Sequence, residues 1–400
     1  MRKAIDLARR GEGSTSPNPM VGAVLVSRGR VIADGYHARF GGAHAEPRLL
    51  TKLAGRNVPR DAVLYLTLEP CSYHGKTPPC VDALLASPIR RFVVATTDPN
   101  PRVRGRGVAS LRAAGREVRL GVLGSEARSL NRPYFVSCKE ARALVTLKIA
   151  STADGMLADS TGASRWITGP QARREVGRLR ARCDAVIVGR GTVERDDPRL
   201  RSMTHPGRSP TRIVLDTRLR TDPDCRLARL WRKDVAGPVD SSASRAGNWV
   251  QMKLRRSTRW VRRPRLVVAA ADPPARSRMA FERAGWEVWD LPGTGAGVDL
   301  QALAVRACSE GLIHLLVEPG PTLVAGFLDT GPVDRMLLFL APKILGGGEG
   351  WSRSLAPRSI GKALRAALGQ PARPVGPDLL LEITAPRGGP LVPVSGLRKR

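Results

Sequence analysis

The sequence has few of the features that mark membrane, secreted or nucleic-acid-binding proteins. No apolar run reaches the roughly 18 residues that a membrane-spanning helix needs, so no membrane span is expected. The amphipathic segment Met1–Ala8 lacks the apolar core and cleavage site of a signal peptide. Only 6 of the 400 residues are cysteines, and they do not have the spacing of a disulfide framework. These absences favour a cytoplasmic protein in a reducing environment.

Acidic residues are also scarce. The chain has 35 Asp and Glu but 66 Lys and Arg, which gives a formal net charge of +31. A basic surface is one signature of nucleic-acid binding. The arginines are spread along the chain outside about residues 254–265, and the aromatic residues that stack on single strands make up only 4%. We therefore expect no nucleic-acid partner, although the charge would attract a phosphorylated small molecule.

Four residues early in the chain form a candidate metal site. Zinc in a catalytic site takes three protein ligands and leaves the fourth position for water. His44, Cys71 and Cys80 supply an imidazole and two thiols, and Glu46 completes a His-x-Glu motif. In nucleobase deaminases that motif precedes Pro-Cys-x-x-Cys, and the glutamate transfers protons without binding the metal. Pro70 and Cys71 fit, but Cys80 lies nine positions after Cys71 instead of three, so scattered core residues remain the alternative on these residues alone.

The surrounding sequence resembles one family closely. The loop 67–80 reads TLEPCSYHGKTPPC and is similar to the zinc loop of the bifunctional riboflavin-biosynthesis deaminase/reductase family, where a nine-residue step between the thiols is the rule. Further matches are Pro17-Asn18-Pro19, Gly35-Tyr36-His37 and Asp98-Pro99-Asn100-Pro101. The resemblance implies zinc ligation by His44, Cys71 and Cys80, with proton transfer by Glu46.

The same resemblance implies contacts of Asn18, His74 and Lys76 with a pyrimidine and its ribose phosphate. The alternative for these three residues is a set of polar loop residues that form turns. In one place the sequence departs from the family, because Pro47-Arg48 follows the His-Ala-Glu triplet where Val and then His or Asn are usual.

Strand and helix patterns alternate along the chain, which is typical of α/β folds with mainly parallel sheets. The resemblance implies an N-terminal cytidine-deaminase-like three-layer domain and a C-terminal dihydrofolate-reductase-like domain. We predict a deaminase domain over residues 1–140, a reductase domain over 141–385 and a mobile tail over 386–400. Residues 221–265 match the family poorly, and we interpret 235–263 as a long insertion or loop without regular structure.

No Gly-x-Gly-x-x-Gly motif stands between a strand and a helix, so a Rossmann dinucleotide site is not indicated. The candidate for binding cofactor phosphates is the segment 320–326, because a buried strand over 312–317 precedes it and Leu323 onward is predicted to be helical. Free N–H groups at a helix N-terminus suit an anion. An ordinary strand-turn-helix is the alternative.

The resemblance implies NADPH as the second cofactor and two sets of positions in this half. The cofactor positions are Ala150, Trp166, Thr192, Asp196, Thr217, Gly320, Pro321, Thr322, Leu323, Val324, Ala325 and Gly326. The substrate positions are Ser164, Arg180, Leu200 and Glu318. Three departures fall here: Met203 stands where an arginine is usual, Pro319 replaces a small residue, and Thr152-Ala153 replaces Ser-Leu.

The favoured hypothesis is a bifunctional enzyme of riboflavin biosynthesis. It would remove an amino group from 2,5-diamino-6-(ribosylamino)-4(3H)-pyrimidinone 5′-phosphate with the help of zinc, then reduce the ribosyl group to ribityl with NADPH. One alternative is an active deaminase with an inactive reductase-like domain, which Met203 and Pro319 suggest. Another is a nucleic-acid deaminase, which the charge suggests. The oligomeric state stays open, with a homo-oligomer among the options.

Overall fold

The chain divides into two compact units in the computed structural model. One unit comprises Met1–Ala141 with Gln251–Trp260, and the other comprises Arg142–Val250 with Val261–Arg400. The residues that the structure describes are 1–74, 78–202, 209–235, 245–246, 249–254, 257–262, 265–295, 297–356, 364, 366–385 and 391. Lys76, Met203 and the tail 386–400 apart from Leu391 lie outside them.

The first unit is built on a five-stranded sheet in the order β2-β1-β3-β4-β5. Strand β1 pairs antiparallel with β2 and β3, whereas β3, β4 and β5 are parallel. Its elements are α1 Arg2–Arg9, β1 Gly22–Ser27, β2 Arg30–Tyr36, α2 Ala45–Leu53, β3 Val63–Leu66, α3 Cys80–Leu85, β4 Arg91–Val94, α4 Arg106–Ala113, β5 Glu117–Leu120, α5 Gly124–Leu130 and α6 Arg132–Glu140. Because β3 and β4 run in the same direction, the loops that follow them leave from one edge of the sheet.

Apolar side chains alternate along the strands and meet the helices in one core, which contains Leu25, Leu64, Leu66 and Phe92. The α2 helix lies very close to the sheet at a glycine. A Cβ atom on Gly35 of β2 would stand 2.3 Å from the carbonyl oxygen of Ala45, so only glycine permits this approach. The close packing brings the first turn of α2, with Glu46, down onto the sheet.

The second half contains a nine-stranded sheet in the order β14-β13-β9-β8-β17-β6-β18-β21-β20. Its pairs are parallel from β14 to β18, and β21 pairs antiparallel with both β18 and β20. The elements are β6 Leu144–Thr152, β7 Met156–Ala158, α7 Pro170–Arg182, β8 Ala185–Gly189, α8 Arg190–Asp196, β9 Thr211–Leu215, α9 Arg226–Val235, β10 Arg245–Ala246, β11 Trp249–Leu254, β12 Ser257–Arg262, β13 Leu266–Ala270, α10 Ala275–Arg283, β14 Glu287–Asp290, β15 Gly293–Thr294, β16 Gly297–Val298, α11 Leu300–Ser309, β17 His314–Val317, α12 Pro321–Asp329, β18 Arg335–Ala341, β19 Glu349–Gly350, β20 Ala367–Val375 and β21 Asp378–Thr384.

The parallel strands share one carboxyl edge, and helices α8 and α12 both begin there. Helix α8 follows β8 directly, and α12 follows β17 after a short turn. Ligands of open parallel sheets bind outside this edge. The helices of the described residues do not combine the length and apolar character that a membrane crossing requires.

The interpretation of 235–263 as a segment without regular structure is wrong for residues 245–246, 249–254 and 257–262, because these are strands β10, β11 and β12 of a three-stranded sheet. Helix α9, over residues 226–235, precedes them. Leu227 and Ala228 of α9 are fully buried in the apolar core. They belong to the apolar side of an otherwise arginine-rich helix.

Candidate zinc and cofactor sites

Three side chains of the first unit converge on one point. The ligand atoms of His44, Cys71 and Cys80 all lie within 4.8 Å of one another. His44 Nδ1 is 3.3 Å from the Cys80 sulfur and 3.7 Å from the Cys71 sulfur. A tetrahedral zinc ion with Zn–N near 2.0 Å and Zn–S near 2.3 Å places such atoms about 3.6 Å apart. The donor set therefore fits zinc in both chemistry and spacing.

The local backbone structure places each of the three donor atoms at the candidate metal site. His44 has extended backbone angles and is the N-cap of α2, while Cys80 is the first residue of α3 after Pro79. Cys71 stands in the loop that leaves the carboxyl end of β3, and its sulfur accepts a hydrogen bond from the Cys80 backbone N–H at 3.3 Å. Backbone N–H groups at helix starts stabilise thiolates.

The two thiols differ in how readily they ionise. The hydrogen bond with Cys80 is the main reason that the pKa of Cys71 falls to about 4, and the hydrogen bond with His44 lowers it further. The hydrogen bond with Cys71 and burial together raise the pKa of Cys80. One thiolate therefore forms easily, and the second forms when a cation takes the place of the shared proton, which couples metal binding to proton release.

Glu46 lies in the first turn of α2, beside these donors. Its side chain is buried, at 3% exposure, and among the described residues its Oε2 atom has no hydrogen-bond partner. Burial raises the pKa of this carboxyl group, and the imidazole of His44 partly offsets the effect. A buried carboxyl group with a raised pKa holds a proton more readily than an exposed one, and its uncommitted oxygen can take part in proton transfer.

A second histidine, His37, packs against His44; the sequence places it in the matching motif Gly35-Tyr36-His37 but gives it no role. The two rings meet edge to face with centroids 5.0 Å apart. Burial lowers the pKa of His37 to about 4, so the ring is neutral. Its Nδ1 lies 3.2 Å from the Ala43 carbonyl and its Nε2 lies 3.5 Å from the Asn18 amide nitrogen. The neutral ring thus donates to Ala43, and its other nitrogen faces Asn18. His74, by contrast, is exposed at the end of the described part of the zinc loop.

In the second unit, a polar cluster surrounds Glu318, which directly follows β17. Arg180 donates to both carboxylate oxygens, at 2.6 and 2.9 Å, and Lys148 lies 3.4 Å from one of them. Burial opposes ionisation, but the two cations outweigh it and hold the pKa of Glu318 at about 2. Glu318 is therefore a fixed carboxylate.

Several predicted cofactor positions surround the start of α12. The helix begins at Pro321, with Gly320 as N-cap, two residues earlier than the predicted start at Leu323. Proline suits the first helical position because its fixed φ is already helical. A Cβ on Gly320 would lie 3.9 Å from the Thr192 hydroxyl of α8, so the two helix starts are adjacent. Asp196, at the end of α8, accepts a hydrogen bond from the Ser164 hydroxyl at 3.1 Å.

Trp166 presents its ring to solvent, with 63% exposure. The guanidinium of Arg173 lies 4.3 Å from the ring centroid, and Lys343 donates to the Trp166 carbonyl at 2.8 Å. Because the indole ring is exposed and its position is held by Arg173 and Lys343, it is available for stacking. A tryptophan that served only core packing would be buried.

Other predicted positions have side chains that face elsewhere. Leu200 is 2% exposed and packs in the apolar core, and Val324 of α12 is fully buried. Ala150 packs against the same core as Leu200. Thr217 follows β9, and its hydroxyl faces Gly297. A ligand at the carboxyl edge could contact Leu200 and Val324 only through backbone atoms.

Comparisons with known proteins agree with this architecture. Residues 1–96 match the family model described as cytidine and deoxycytidylate deaminase zinc-binding region, and residues 143–364 match the RibD C-terminal domain. The riboflavin biosynthesis protein RibD of Aquifex aeolicus is 38% identical over 91% of this chain and 92% of its own length. The RibD protein of Escherichia coli is 35% identical over 86% and 88%.

Solved structures show the same likeness over nearly the full length. A diaminohydroxyphosphoribosylaminopyrimidine deaminase/5-amino-6-(5-phosphoribosylamino)uracil reductase from Thermotoga maritima superposes with a TM-score of 0.77 at 30% identity, covering 96% of this chain and 97% of that one. Acinetobacter baumannii RibD gives a TM-score of 0.79 with the same identity and coverage.

A zinc-binding deaminase unit followed by a reductase unit defines the class of protein as a bifunctional deaminase/reductase. The chain belongs to the RibD family of riboflavin biosynthesis proteins. As a member of that family it is an enzyme with zinc in the deaminase half and NADPH as the reductant of the other half. The predicted fold class, activities and cofactors are thereby confirmed.

Proposed function

We propose that the chain deaminates 2,5-diamino-6-(ribosylamino)-4(3H)-pyrimidinone 5′-phosphate and then reduces the ribosyl group of the product to ribityl. The observation that carries the proposal is the convergence of His44, Cys71 and Cys80 beside the buried, partly unpartnered carboxyl of Glu46. The name of the Thermotoga maritima relative describes these same two reactions, and that relative covers nearly the whole chain.

In the deaminase half, the three donors would hold the metal. Zinc, when bound, supplies a Lewis acid that lowers the pKa of water to about 7. Glu46 takes a proton from the attacking water and passes it to the departing amino group, and its raised pKa supports both steps. Because Glu46 is buried at the base of α2, bulk water does not compete for that proton.

The residues around the donors would orient the substrate. His37 is neutral and faces the amide nitrogen of Asn18. Within the described part of the chain nothing donates to the amide oxygen, which could accept a hydrogen bond from an amino or imino group of the pyrimidine. His74 is exposed on the zinc loop, where it could meet the phosphate. Lys76 is assigned to the same phosphate by resemblance and lies outside the described residues.

In the reductase half, the carboxyl edge of the nine-stranded sheet would hold NADPH. The adjacent starts of α8 and α12 offer backbone N–H groups to its phosphates, and the exposed ring of Trp166 offers a stacking surface. The positions assigned to the cofactor are Ala150, Trp166, Thr192, Asp196, Thr217 and 320–326. Ser164, Arg180, Leu200 and Glu318 are assigned to the substrate, with Glu318 as the fixed acceptor for sugar hydroxyls.

A cytoplasmic location and the lack of a nucleic-acid partner belong to the same proposal. Arginines of the second unit are engaged in ion pairs, such as Arg180 with Glu318 and Arg265 with Glu310, which reduces the charge available to a polyanion. A gel-shift at physiological salt should show no retention of DNA or RNA, because phosphate-driven binding weakens steeply with salt. Retention under those conditions would favour the nucleic-acid alternative.

The test uses full-length, zinc-loaded protein with the diaminopyrimidine phosphate, with and without NADPH, and identifies products by mass. Glu46→Gln should retain zinc but deaminate at least about 100-fold more slowly, since proton transfer by a positioned group contributes about that much. The matched control is Glu117→Gln, an exposed glutamate of β5. Wild-type deamination by Glu46→Gln would remove the assigned role. Failure to oxidise NADPH with the deaminated intermediate would favour the alternative of an inactive reductase half.

A further inference from the structure

Glu69 lies two residues before Cys71 and has no role in the reaction steps described above. Its carboxylate is buried, at 3% exposure, just beyond the end of β3. No lysine, arginine or histidine of the described residues forms an ion pair with it. An isolated buried carboxylate is costly unless several donors satisfy it.

Three backbone N–H groups satisfy this carboxylate, and all come from the segment after β4. Asp98 and Gly105 donate to Oε2, at 3.0 and 2.9 Å, and Val108 donates to Oε1 at 3.1 Å. Gly105 is the N-cap of α4, and Val108 lies in its first turn. Glu69 therefore supplies the N-cap that α4 lacks in its own sequence, and the helix dipole favours its negative charge.

The contact with α4 is tight enough to fix the main chain that carries Cys71. A Cβ atom on Gly107 would stand 2.2 Å from the Pro70 carbonyl oxygen, so the first turn of α4 touches the residue before Cys71 directly. The Glu69 N–H also donates to the Thr96 carbonyl at 3.0 Å, which continues the β3–β4 pairing up to this point. Pro70 itself has a fixed φ, so little freedom remains between Glu69 and Cys71.

We propose that Glu69 is a positioning residue of the zinc site, an inference that rests on the proposed function. Its three hydrogen bonds anchor the Cys71 segment to α4 and so set the 3.7 Å separation between the Cys71 sulfur and His44 Nδ1. The same carboxylate fixes Asp98, which in turn accepts a hydrogen bond from the Tyr134 hydroxyl at 2.9 Å. One side chain thus holds both the Cys71 segment and the segment that begins at Asp98.

The substitution Glu69→Gln tests this role with little change in size. A glutamine has one acceptor oxygen, and its NH2 group would face at least one of the three N–H donors. We expect the zinc affinity of the full-length protein to fall about 10- to 100-fold, the range seen when groups that orient metal ligands are removed. Affinity is measured by competition with a chelator, and the absorption spectrum of the cobalt(II)-loaded protein reports whether the Cys71 sulfur has moved.

Two further variants make the outcomes separable. Glu117→Gln removes an exposed charge from the same unit and should bind zinc as the wild type does. Cys71→Ser should lose tight zinc binding; if it binds zinc as the wild type does, the proposed function fails at its metal site. If Cys71→Ser loses zinc while Glu69→Gln keeps the wild-type affinity and cobalt spectrum, the zinc site stands and the role of Glu69 is overturned.

A further variant, Glu69→Asp, covers the case in which Glu69→Gln does not fold. Should Glu69→Gln aggregate, Glu69→Asp keeps the charge but shortens the side chain by one methylene, so it cannot reach all three donors. Zinc affinity between those of the wild type and Cys71→Ser supports positioning. Wild-type affinity together with reduced thermal stability would show a purely structural role and overturn the proposal.

Discussion

The side-chain amide of Asn131 pairs with both backbone polar groups of Met20. Met20 N–H donates to Asn131 Oδ1 at 2.8 Å, and Asn131 Nδ2 donates to the Met20 carbonyl at 2.9 Å. The residues are far apart in sequence, and Asn131 is almost fully buried. This pair fixes the segment that carries Asn18, the residue that faces His37 beside the zinc donors.

Replacing Asn131 with alanine should therefore loosen the substrate side of the deaminase site and leave the metal in place. The two Met20 groups would lose their partners, which lowers the free energy of unfolding by about 1–3 kcal/mol. We expect a raised KM for deamination and an unchanged zinc affinity. Asn57→Ala, at an exposed position of the same unit, is the control. A loss of zinc in Asn131→Ala would place its role at the donors instead.

Removing the metal should separate the two activities. Dialysis against a chelator should reduce deamination by about 100-fold or more, because the activation of water is lost. Reduction of the deaminated intermediate by NADPH should stay near the rate of the untreated protein, because the metal donors all belong to the first unit. Added zinc should restore deamination. Parallel loss of both activities would show that the reductase also depends on the metal.

The fixed carboxylate of Glu318 predicts a pH dependence of stability. Its pKa is lowered from 4.5 to about 2 in the folded protein, so the unfolded chain binds this proton first as pH falls. The stabilisation is fully present above pH 4.5 and is lost between there and about pH 2, with a magnitude of about 3 kcal/mol.

Urea unfolding between pH 6 and 3, followed by tryptophan fluorescence, measures this dependence. All 7 tryptophans lie after residue 142, so the signal reports mainly on the second half of the chain. Glu318→Gln should be less stable at pH 6 and should lose less stability on acidification than the wild type. Glu282→Gln, at an exposed position of α10, should keep the wild-type slope. Equal slopes for all three proteins would contradict the assignment.

The buried pair of Arg142 and Asp334 predicts a large effect on folding. Arg142 donates to both oxygens of Asp334, at 2.7 and 2.8 Å, and the side chains are only 1% and 2% exposed. Removing one partner leaves the other charge buried, so Asp334→Asn should lower the free energy of unfolding by about 3–5 kcal/mol. The exposed pair Arg190 and Glu194 is the control, and Glu194→Gln should change stability by less than about 1 kcal/mol. Similar values for both variants would mean that burial does not matter here.

The zinc donors were predicted mainly from the family resemblance of the loop 67–80, because the nine-residue step between Cys71 and Cys80 departs from the usual three. His44 directly precedes α2, Cys80 begins α3 and Cys71 lies in the loop after β3, so the local pattern agrees with the chemistry. Asn131 and Glu69 could not be predicted in the same way. Asn131 stands between α5 and α6, where an asparagine is expected to cap a helix, yet its side chain caps neither and binds Met20 instead. Such partners depend on which loops meet across the sheet, and that information is not local.

The contacts in the reductase half were harder to predict from the sequence, for a related reason. Its carboxyl edge gathers residues from separated strands, so Glu318, Arg180 and Lys148 meet only once the sheet order is known. Leu200 and Val324 were assigned by resemblance, and the structure turns their side chains into the core. The buried strand predicted over 312–317 is confirmed as β17, because a continuous apolar run is typical of a central strand of a parallel sheet.

The position of β6 has a consequence for how the chain matures during synthesis. Its two neighbours in the sheet are built from residues 314–317 and 335–341, which leave the ribosome long after β6 itself. The sheet of the first unit, in contrast, draws all its strands from residues 22–120. A nascent chain can thus form the deaminase sheet before the strands that pair with β6 have been synthesised. We therefore expect chaperones to bind the growing polypeptide chiefly during translation of the reductase half.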